Sequence, residues 1–516
     1  MTGDAGGAEV AGDAVGGGDA SGGAAGEGKH GGITRRGFFV GGAAGLLAGA
    51  GLSLGMEELF GGAADLERFS TGDQLTILSG RDESDGGQRR LLVDLWNRVY
   101  EAHPARIVEV SSNADRAYST MLSAAQAGEP GYDIYNLDIP WVPQFAQSGY
   151  LRALDGATGD GFLSEPWAAG TWDGAAYALP FNSDVGLLYC NLDLIDEYYR
   201  SKGEEVPRTD PIPVHDGWAG LDRFADDVFA EVGGDRGLNR PIVETAIALQ
   251  LADYEGFTVN LWEILLGSRA VSVDATGRPV FEDVDRIGAA VESLAERLRP
   301  PLDGPSGAAA SLAFDEQGSL AAFAGGRAVF LRHWPRALRL LRGKDSAPFR
   351  VGFMRVPGGG VLGGQSLAVA AASKYPVAAR RLAEFLTNER SHQLIFERGG
   401  FAASREAPYR DPEAPWALEP VTGDLASALV DYATGKGVEG TNDPERKAND
   451  ALRLALDGAS PRPRLQHYVE LSEEFRRYVR AALAPVSSSS GGGVPFDGAR
   501  FAERMDAAMN GKVTPA

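Results

Sequence analysis

The feature that most constrains this chain is an alternation of short apolar runs with amphipathic stretches. The run "QLTILSG" ends in glycine, and "QRRLLVDLWNRVYEAH" after it carries Leu91, Leu92 and Leu95 at helical spacing. A second pair follows, "ARIVEVSS" and "YSTMLSAAQAG", and then a third short run, "YDIYNLD". Strands that alternate with helices predict a parallel α/β sheet. Because ligands bind beyond the carboxyl ends of such strands, we place binding loops at residues 80–85 and 138–141.

Length and composition narrow the class of protein. A chain of 516 residues favours two domains or two lobes over one compact core. A net charge of −22 argues against a nucleic-acid partner and against docking on anionic lipid. With one cysteine and six histidines, none of them at metal-ligand spacing, we expect no disulfide, metal or cofactor. Cys190 lies in the strand-like run "GLLYCNLDL", which favours an inert buried thiol over a nucleophile.

The first 64 residues form a separate region of the sequence. Residues 1–32 are rich in Gly, Ala and Asp and hold almost nothing to bury, so we predict a disordered head. The stretch "TRRGFFV" and the weakly apolar run after it resemble a twin-arginine export signal, which a receptor reads as an address. The alternative is a disordered tail that contains a chance arginine pair.

A search for catalytic motifs finds none. After the leader the chain has no GxSxG elbow, no HExxH pair and no P-loop, and the glycines at 358–360 lack the Lys-Ser/Thr that phosphate binding needs. A glycosidase needs two carboxyl groups set across a sugar, which a sequence can neither show nor exclude. We therefore assign no catalytic residue and predict that the chain is not an enzyme.

Several loop contexts instead combine aromatic with polar residues. The CH faces of a sugar stack on aromatic rings, while its hydroxyls need paired donors and acceptors. For any single tryptophan a core position is an equally good interpretation, but Trp334 stands beside arginine and before Pro335, which favours ligand contact. The candidate residues in these loops are Asp138, Trp141, Asn182, Asp184, Tyr254, Glu255, Arg332 and Trp334.

These stretches, in their order, resemble the extracellular solute-binding proteins of ABC importers, in the maltose/trehalose-binding-protein-like family. The resemblance spans residues 72–512 and is carried by segments such as "YDIYNLDIPWVPQF", "YALPFNSDVGLLYCNLDLI" and "FAGGRAVFLRHWPRAL". It implies an α/β, two-lobed periplasmic-binding-protein-like fold of type II, with the ligand cleft between the lobes.

The resemblance also implies how the chain divides between the lobes. Three crossings would join them, and hinges need only a few residues that absorb backbone rotation. The implied lobe one is 73–179 with 366–409, lobe two is 184–362 with 415–512, and the crossings are 180–183, 363–365 and 408–415.

Carried over position by position, the resemblance adds four residues to the candidate ligand site. Arg81 and Asp82 would lie in the loop after the first strand, and Gly364 and Gln365 at the second crossing. The family often has an aromatic residue after the Gly-Gly pair, and Gln365 at this position makes stacking weaker there.

The function implied by the resemblance is capture of a sugar or oligosaccharide by closure of the lobes, and delivery to ABC permease subunits in the membrane. The chain would be a monomeric substrate-binding subunit. The alternatives are a binding protein for a non-sugar polar solute and an extracellular carbohydrate-active enzyme. No cysteine near the leader could carry a lipid anchor, since Cys190 falls within the sheet. The protein would therefore be held by an uncleaved signal anchor, be free outside the cell, or be confined to a periplasm.

Overall fold

The computed structural model describes most of the chain after the leader, within one compact unit that begins at Ala64. The predicted head and export signal, residues 411–415 of the third predicted crossing, and the Ser/Gly-rich link at 484–495 lie outside the described residues. The described ranges are 66–83, 87–128, 130–207, 211–233, 240–298, 309–342, 347–396, 400–410, 444–483 and 496–512.

A five-stranded sheet organises the first lobe. Its strands lie in the order β2 (Ala105–Glu109), β1 (Leu75–Ser79), β3 (Ile134–Asp138), β13 (Leu362–Val369) and β6 (Ala178–Val185). The three predicted strands are confirmed, and β1 pairs in parallel with both β2 and β3. Two further strands make the sheet mixed rather than wholly parallel, because β13 runs antiparallel to β3 and to β6. These two strands reach the sheet through long excursions of the chain rather than through a single helical crossover.

A four-stranded sheet organises the second lobe. Its strands lie in the order β12 (Val351–Arg355), β7 (Leu187–Asn191), β11 (Ala328–His333) and β8 (Thr245–Ala248). Cys190 is fully buried in β7, as predicted. Because β6 and β7 are separated only by Gly186, the chain passes directly from one sheet into the other at that residue. Two small hairpins complete the strands, β4 (Thr171–Trp172) with β5 (Ala175–Ala176) and β9 (Val271–Val273) with β10 (Pro279–Phe281).

Helices cover both sheets. The helices α1 (Gln88–Val99), α2 (Ala114–Ala127) and α11 (Pro376–Leu386) pack on the first sheet. The helices α6 (Trp218–Val232), α9 (Glu316–Ala324) and α14 (Pro444–Asp457) pack on the second. The helix α1 buries Leu92, Val93 and Trp96, but Leu91 is 39% exposed, so its apolar face is rotated from the predicted one. None of the helices that the structure describes has both the length and the apolar character needed to cross a bilayer.

The described helices are α1 (Gln88–Val99), α2 (Ala114–Ala127), α3 (Val142–Gln147), α4 (Ser164–Ala169), α5 (Leu192–Ser201), α6 (Trp218–Val232), α7 (Glu255–Gly267), α8 (Val284–Arg297), α9 (Glu316–Ala324), α10 (Arg336–Arg342), α11 (Pro376–Leu386), α12 (Glu389–Leu394), α13 (Ala407–Arg410), α14 (Pro444–Asp457), α15 (Tyr468–Leu483) and α16 (Gly498–Met509), with 3-10 turns at Ile139–Trp141 and Ala309–Ala313.

The paired strands β6 and β13 link the lobes. Two of the predicted crossings, 180–183 and 363–365, fall inside these strands, where Gly364 pairs with Ser183. Gly364 has a φ of 120°, and a Cβ there would meet the Asn182 carbonyl oxygen at 2.3 Å. Only glycine suits that close approach of backbones.

Candidate functional site

A cavity of about 230 Å³ lies between the two lobes, at the carboxyl ends of β1 and β3. Five helices begin at its wall, namely α1, α2, α7, α9 and α10. Helix N-termini carry partial positive charge and free N–H groups, which favour ligand oxygens. The cavity therefore combines a sheet-edge position with converging helix starts, the usual surroundings of a ligand site in an α/β fold.

Ten of the twelve predicted site residues line this cavity, and two do not. Asp82 lies behind the wall, where its carboxylate accepts the Arg89 backbone N–H at 3.2 Å and so supports the start of α1. Arg332 is buried beneath Trp334. The ten that line the cavity are Arg81, Asp138, Trp141, Asn182, Asp184, Tyr254, Glu255, Trp334, Gly364 and Gln365.

Arg332 supports the tryptophan that the sequence places in the site. Its Nε and Nη2 donate to the two carboxylate oxygens of Glu263 at 2.7 and 2.6 Å, and both side chains are almost completely buried. The guanidinium carbon lies 4.0 Å from the ring centroid of Trp334, so it covers one face of that ring. Gly186 makes this pair possible, because a Cβ there would meet Glu263 Oε1 at 1.9 Å.

A second buried arginine, Arg462, joins the two lobes at the cavity wall. It donates bidentately to Asp138 on β3, and its Nη1 also donates to Glu255 on α7 at 3.0 Å. Tyr468 and Ser472 on α15 donate to the same Glu255 carboxylate. Both predicted carboxylates are thus held by one guanidinium, which fixes their orientation.

Sequence reasoning missed Arg462 and Arg89, which also lines the cavity. Arg462 stands between Pro461 and Pro463 in a stretch without apolar periodicity, and the stiff proline-flanked loop is the one signal that pointed to it. Arg89 belongs to an arginine pair in the first turn of α1, a pattern that is typical of a solvated helix face.

Arg89 is buried, and its guanidinium donates to amide oxygens rather than to a carboxylate. Its Nη2 donates to Asn182 Oδ1 at 3.1 Å and to the side-chain oxygen of Gln365. Its guanidinium lies between the rings of Phe181 and Phe401, at 5.5 and 5.3 Å from their centroids. Burial lowers the pKa of Arg89, because a charged group loses hydration there.

Asp184 is a second buried charged residue of the wall. Its Oδ2 accepts from Asn182 Nδ2 at 3.2 Å, and its Oδ1 is buried without a partner. Burial raises the pKa of this carboxyl to about 7, against the opposing effect of the Arg89 charge.

Polar atoms without partners are concentrated at this cavity. Of fifteen such buried side-chain atoms in the part of the chain that the structure describes, seven belong to cavity-lining residues. Buried polar groups are normally hydrogen-bonded, so this concentration points to a polar ligand. The seven atoms are Arg89 Nη1, Asn136 Oδ1, Asp184 Oδ1, Tyr254 Oη, His333 Nδ1, Arg336 Nε and Arg462 Nε.

Burial shifts three titratable groups of the lobe-two wall towards their neutral forms, those of His333, Tyr254 and Glu316. Burial lowers the pKa of His333 to about 4, so its ring is neutral, and its Nε2–H donates to the Glu316 backbone carbonyl oxygen at 3.1 Å. Burial also raises the pKa of Tyr254 and of Glu316. Among the described residues no group of three or more His, Cys, Asp or Glu side chains is placed to hold a metal ion. These three side chains can hydrogen-bond to a polar ligand.

Comparison with known proteins agrees with this geometry. A "probable ABC transporter-binding protein" of Deinococcus radiodurans is 23% identical over 396 residues, which cover 74% of this chain and 86% of that protein. The fold is similar to that of maltose-bound MalE3 of T. maritima, with a TM-score of 0.64, 22% identity, and coverage of 85% of this chain and 99% of that one. It is also similar to the GacH receptor of Streptomyces glaucescens, solved unliganded and with acarbose, with a TM-score of 0.62, 19% identity, and coverage of 86% and 99%.

The two-lobed fold expected from the resemblance is confirmed by these structures. The family described as bacterial extracellular solute-binding protein matches residues 98–419, a range that includes β3, β6, β11 and β13 and most of the cavity wall. On its sequence, its fold and its interlobe cavity, this chain belongs to the family of bacterial extracellular solute-binding proteins.

Proposed function

We propose that this protein is the substrate-binding subunit of an ABC importer, and that it captures a sugar, oligosaccharide or polyol between its lobes for delivery to a membrane permease. The observation that carries the proposal is the set of seven unpartnered polar atoms on a wall that also contains the rings of Trp334 and Tyr254. Sugars satisfy such a wall with hydroxyls and CH faces. The maltose in MalE3 and the acarbose in the GacH complex support the same ligand class.

The ten lining residues are proposed to contact the ligand, and the paired strands β6 and β13 to flex as the lobes close. The proposed lobe boundaries remain those implied by the resemblance, with crossings at 180–183, 363–365 and 408–415. Binding energy shared between the lobes would favour the closed form, which the permease would recognise. The protein acts as a monomer without a catalytic step.

Export through the twin-arginine route is part of the proposal, with the protein working on the outer face of the cytoplasmic membrane or in a periplasm. The arginine pair of the leader supports the route, and the lack of a cysteine near it opposes a lipid anchor. Peptide mapping of the native protein tests the leader. An intact N-terminus on membrane-bound protein would establish a signal anchor, and a mature start near Gly51 or Asp65 would exclude it.

Thermal unfolding of the full chain tests the ligand class. Maltose, trehalose, D-mannitol and a set of non-sugar polar solutes serve as probes. A ligand at one hundred times its Kd should raise the free energy of unfolding by about 2.7 kcal/mol and raise Tm accordingly. Chromatography of the saccharide after incubation distinguishes binding from turnover. If no saccharide or polyol raises Tm, the sugar assignment fails, and if a saccharide is cleaved, the protein is an enzyme.

A further inference from the structure

We propose that a second cavity of this protein binds a small zwitterion, such as an amino acid, whose carboxylate pairs with Arg464 and whose ammonium group pairs with Glu165. The site is separate from the cavity that contains Trp334, which is called the first cavity below. The inference goes beyond the proposed function, because it adds a ligand of different chemistry at a different place in the fold.

The second cavity has a volume of about 290 Å³ and lies between elements of the two lobes. One side is formed by the 3-10 turn after β3 and by α4, and the other by the turn between β9 and β10 and by the loop 461–464. Within the described part of the chain, Arg462 is the one residue that lines both cavities. Its guanidinium donates to Asp138 and Glu255, which line the first cavity, so this arginine stands between the two cavities.

Arg464 brings a positive charge to the second cavity without a carboxylate to pair with it. Its Nη2 donates to the Thr171 carbonyl oxygen at 2.6 Å and to Thr171 Oγ1 at 3.2 Å, whereas its Nε is buried without a partner. Among the described residues none forms an ion pair with this half-buried arginine. Burial lowers the pKa of Arg464, because its charge loses hydration. A negatively charged acceptor at Nε would supply the missing contact.

The position of Arg464 is fixed by the backbone around it. Its backbone N–H donates to the Gly277 carbonyl oxygen at 2.7 Å. Gly277 has a φ of 86°, and a Cβ there would meet the Arg464 Cβ at 2.6 Å, so glycine is required for this approach. Pro461 and Pro463 restrict the loop further. A side chain that is already held in place loses less entropy when a ligand binds to it.

Glu165 supplies the opposite charge from the α4 side of the cavity. It is half-buried, and its charge acts on Arg464, but the two side chains do not form an ion pair. The other carboxylate in the wall, Asp274, lies on an exposed turn. Its Oδ1 already accepts from the Thr276 N–H at 2.8 Å, the Thr276 hydroxyl at 2.6 Å and the Arg278 N–H at 3.0 Å. The second cavity therefore presents one available positive and one available negative charge on different walls.

These two charges determine the class of ligand. An anion without a positive group is repelled by Glu165, and a cation without a negative group is repelled by Arg464. A neutral molecule leaves both charges unpaired, which is costly away from water. A zwitterion avoids all three costs, and its apolar part can pack against Ile139, Val273 and Leu362. The volume suits one small molecule rather than an oligosaccharide.

Isothermal titration calorimetry of the full chain tests the site with glycine, L-valine, β-alanine and 4-aminobutyrate, which differ in charge separation and in apolar bulk. We expect at least one of these zwitterions to bind at one site per chain. Acetate and methylamine each carry only one of the two charges, so they should bind at least about tenfold more weakly. Arg464→Gln and Glu165→Gln should each weaken binding of the zwitterion about tenfold, because each removes one hydrogen bond to a charged group.

Three further variants separate the site from the rest of the molecule. Ala275→Leu narrows the cavity from an exposed turn, so it should abolish binding without disturbing the core. Arg152→Gln is the matched control, because Arg152 is an exposed arginine outside this cavity whose Nη2 also donates to a backbone carbonyl oxygen, that of Ala371 at 2.8 Å. Trp334→Ala changes the first cavity. Both of these last variants should leave the Kd of the zwitterion unchanged.

The inference is wrong if none of the four zwitterions binds, or if acetate or methylamine binds as tightly as they do. It is also wrong if binding survives both Arg464→Gln and Glu165→Gln, or if Trp334→Ala abolishes it. Each of these results leaves the sugar assignment standing, because that assignment rests on the first cavity. If maltose, trehalose and D-mannitol all fail to raise Tm, the sugar assignment fails, and calorimetry with the zwitterions still decides the second site.

Discussion

The buried ion pair beneath Trp334 offers the sharpest test of how the site is supported. Glu263 is completely buried and accepts from Arg332 Nε and Nη2, and its Oε1 also accepts the Val361 backbone N–H at 2.9 Å. Replacing Glu263 by Gln removes the negative charge but keeps the size and one acceptor oxygen. Arg332 is 1% exposed, so its charge is then buried without a counter-ion. Breaking a buried pair in this way costs about 3–5 kcal/mol, and we expect Glu263→Gln to lose about that amount of stability.

Urea unfolding followed by circular dichroism measures the loss. The double variant Glu263→Gln/Arg332→Met removes both charges, so it should recover most of the stability that the single variant loses. The matched control is Asp506→Asn, which breaks the exposed pair with Arg278 and should change stability by less than about 1 kcal/mol. A Glu263→Gln protein within about 1 kcal/mol of wild type would refute the reasoning. A double variant less stable than the single one would refute it as well.

Three further predictions concern binding, closure and pH. Trp334→Ala should weaken maltose binding by about 1–3 kcal/mol in calorimetry. The control is Trp172→Ala, which changes a half-buried tryptophan outside the cavity and should not weaken binding. Equal losses of affinity in the two variants would contradict stacking of Trp334 on the ligand. Asp115→Asn removes an interlobe contact to Arg476 at 3.1 Å, and it should increase the radius of gyration in X-ray scattering; an unchanged radius would count against a role in closure. Burial lowers the pKa of His392 from 6.5 to about 3, so its stability contribution is complete above pH 6.5 and is lost as pH falls towards 3. The free energy of unfolding should fall by about 2 kcal/mol between pH 7 and 5, and His392→Gln should flatten that slope.

Local patterns in the sequence were enough to predict five elements of the first lobe, namely β1, β2, β3, α1 and α2. The runs that became β1, β2 and β3 carry apolar residues between turn signals, and each of the first two is followed by a stretch at helical spacing. Strand pairing across long stretches of chain is not encoded locally, and for that reason the antiparallel placement of β6 and β13 was missed.

The site shows the same limit at the level of single residues. Arg332 and Trp334 are close in sequence, but Arg332 pairs with a glutamate 69 residues earlier, so nothing nearby indicates that it faces inward. Arg462 was missed for a similar reason, because its partner Asp138 lies 324 residues away. Residues that contact each other only in the folded chain leave no local spacing to detect.

The charged residues at the cavity divide into two groups with different consequences for binding. Within the described part of the chain, three ion pairs join elements of the two lobes, Glu83 with Arg336, Asp115 with Arg476, and Asp138 with Arg462. Contacts of this kind stabilise the closed arrangement whatever the ligand is, so they raise affinity without selecting among ligands. Selection must come from groups whose hydrogen bonds depend on the ligand, because leaving such a group unpaired costs free energy. The unpaired atoms of Arg89 and Asp184 belong to this second group, and the discrimination of one sugar from another should depend on them more than on the ion pairs that close the cleft.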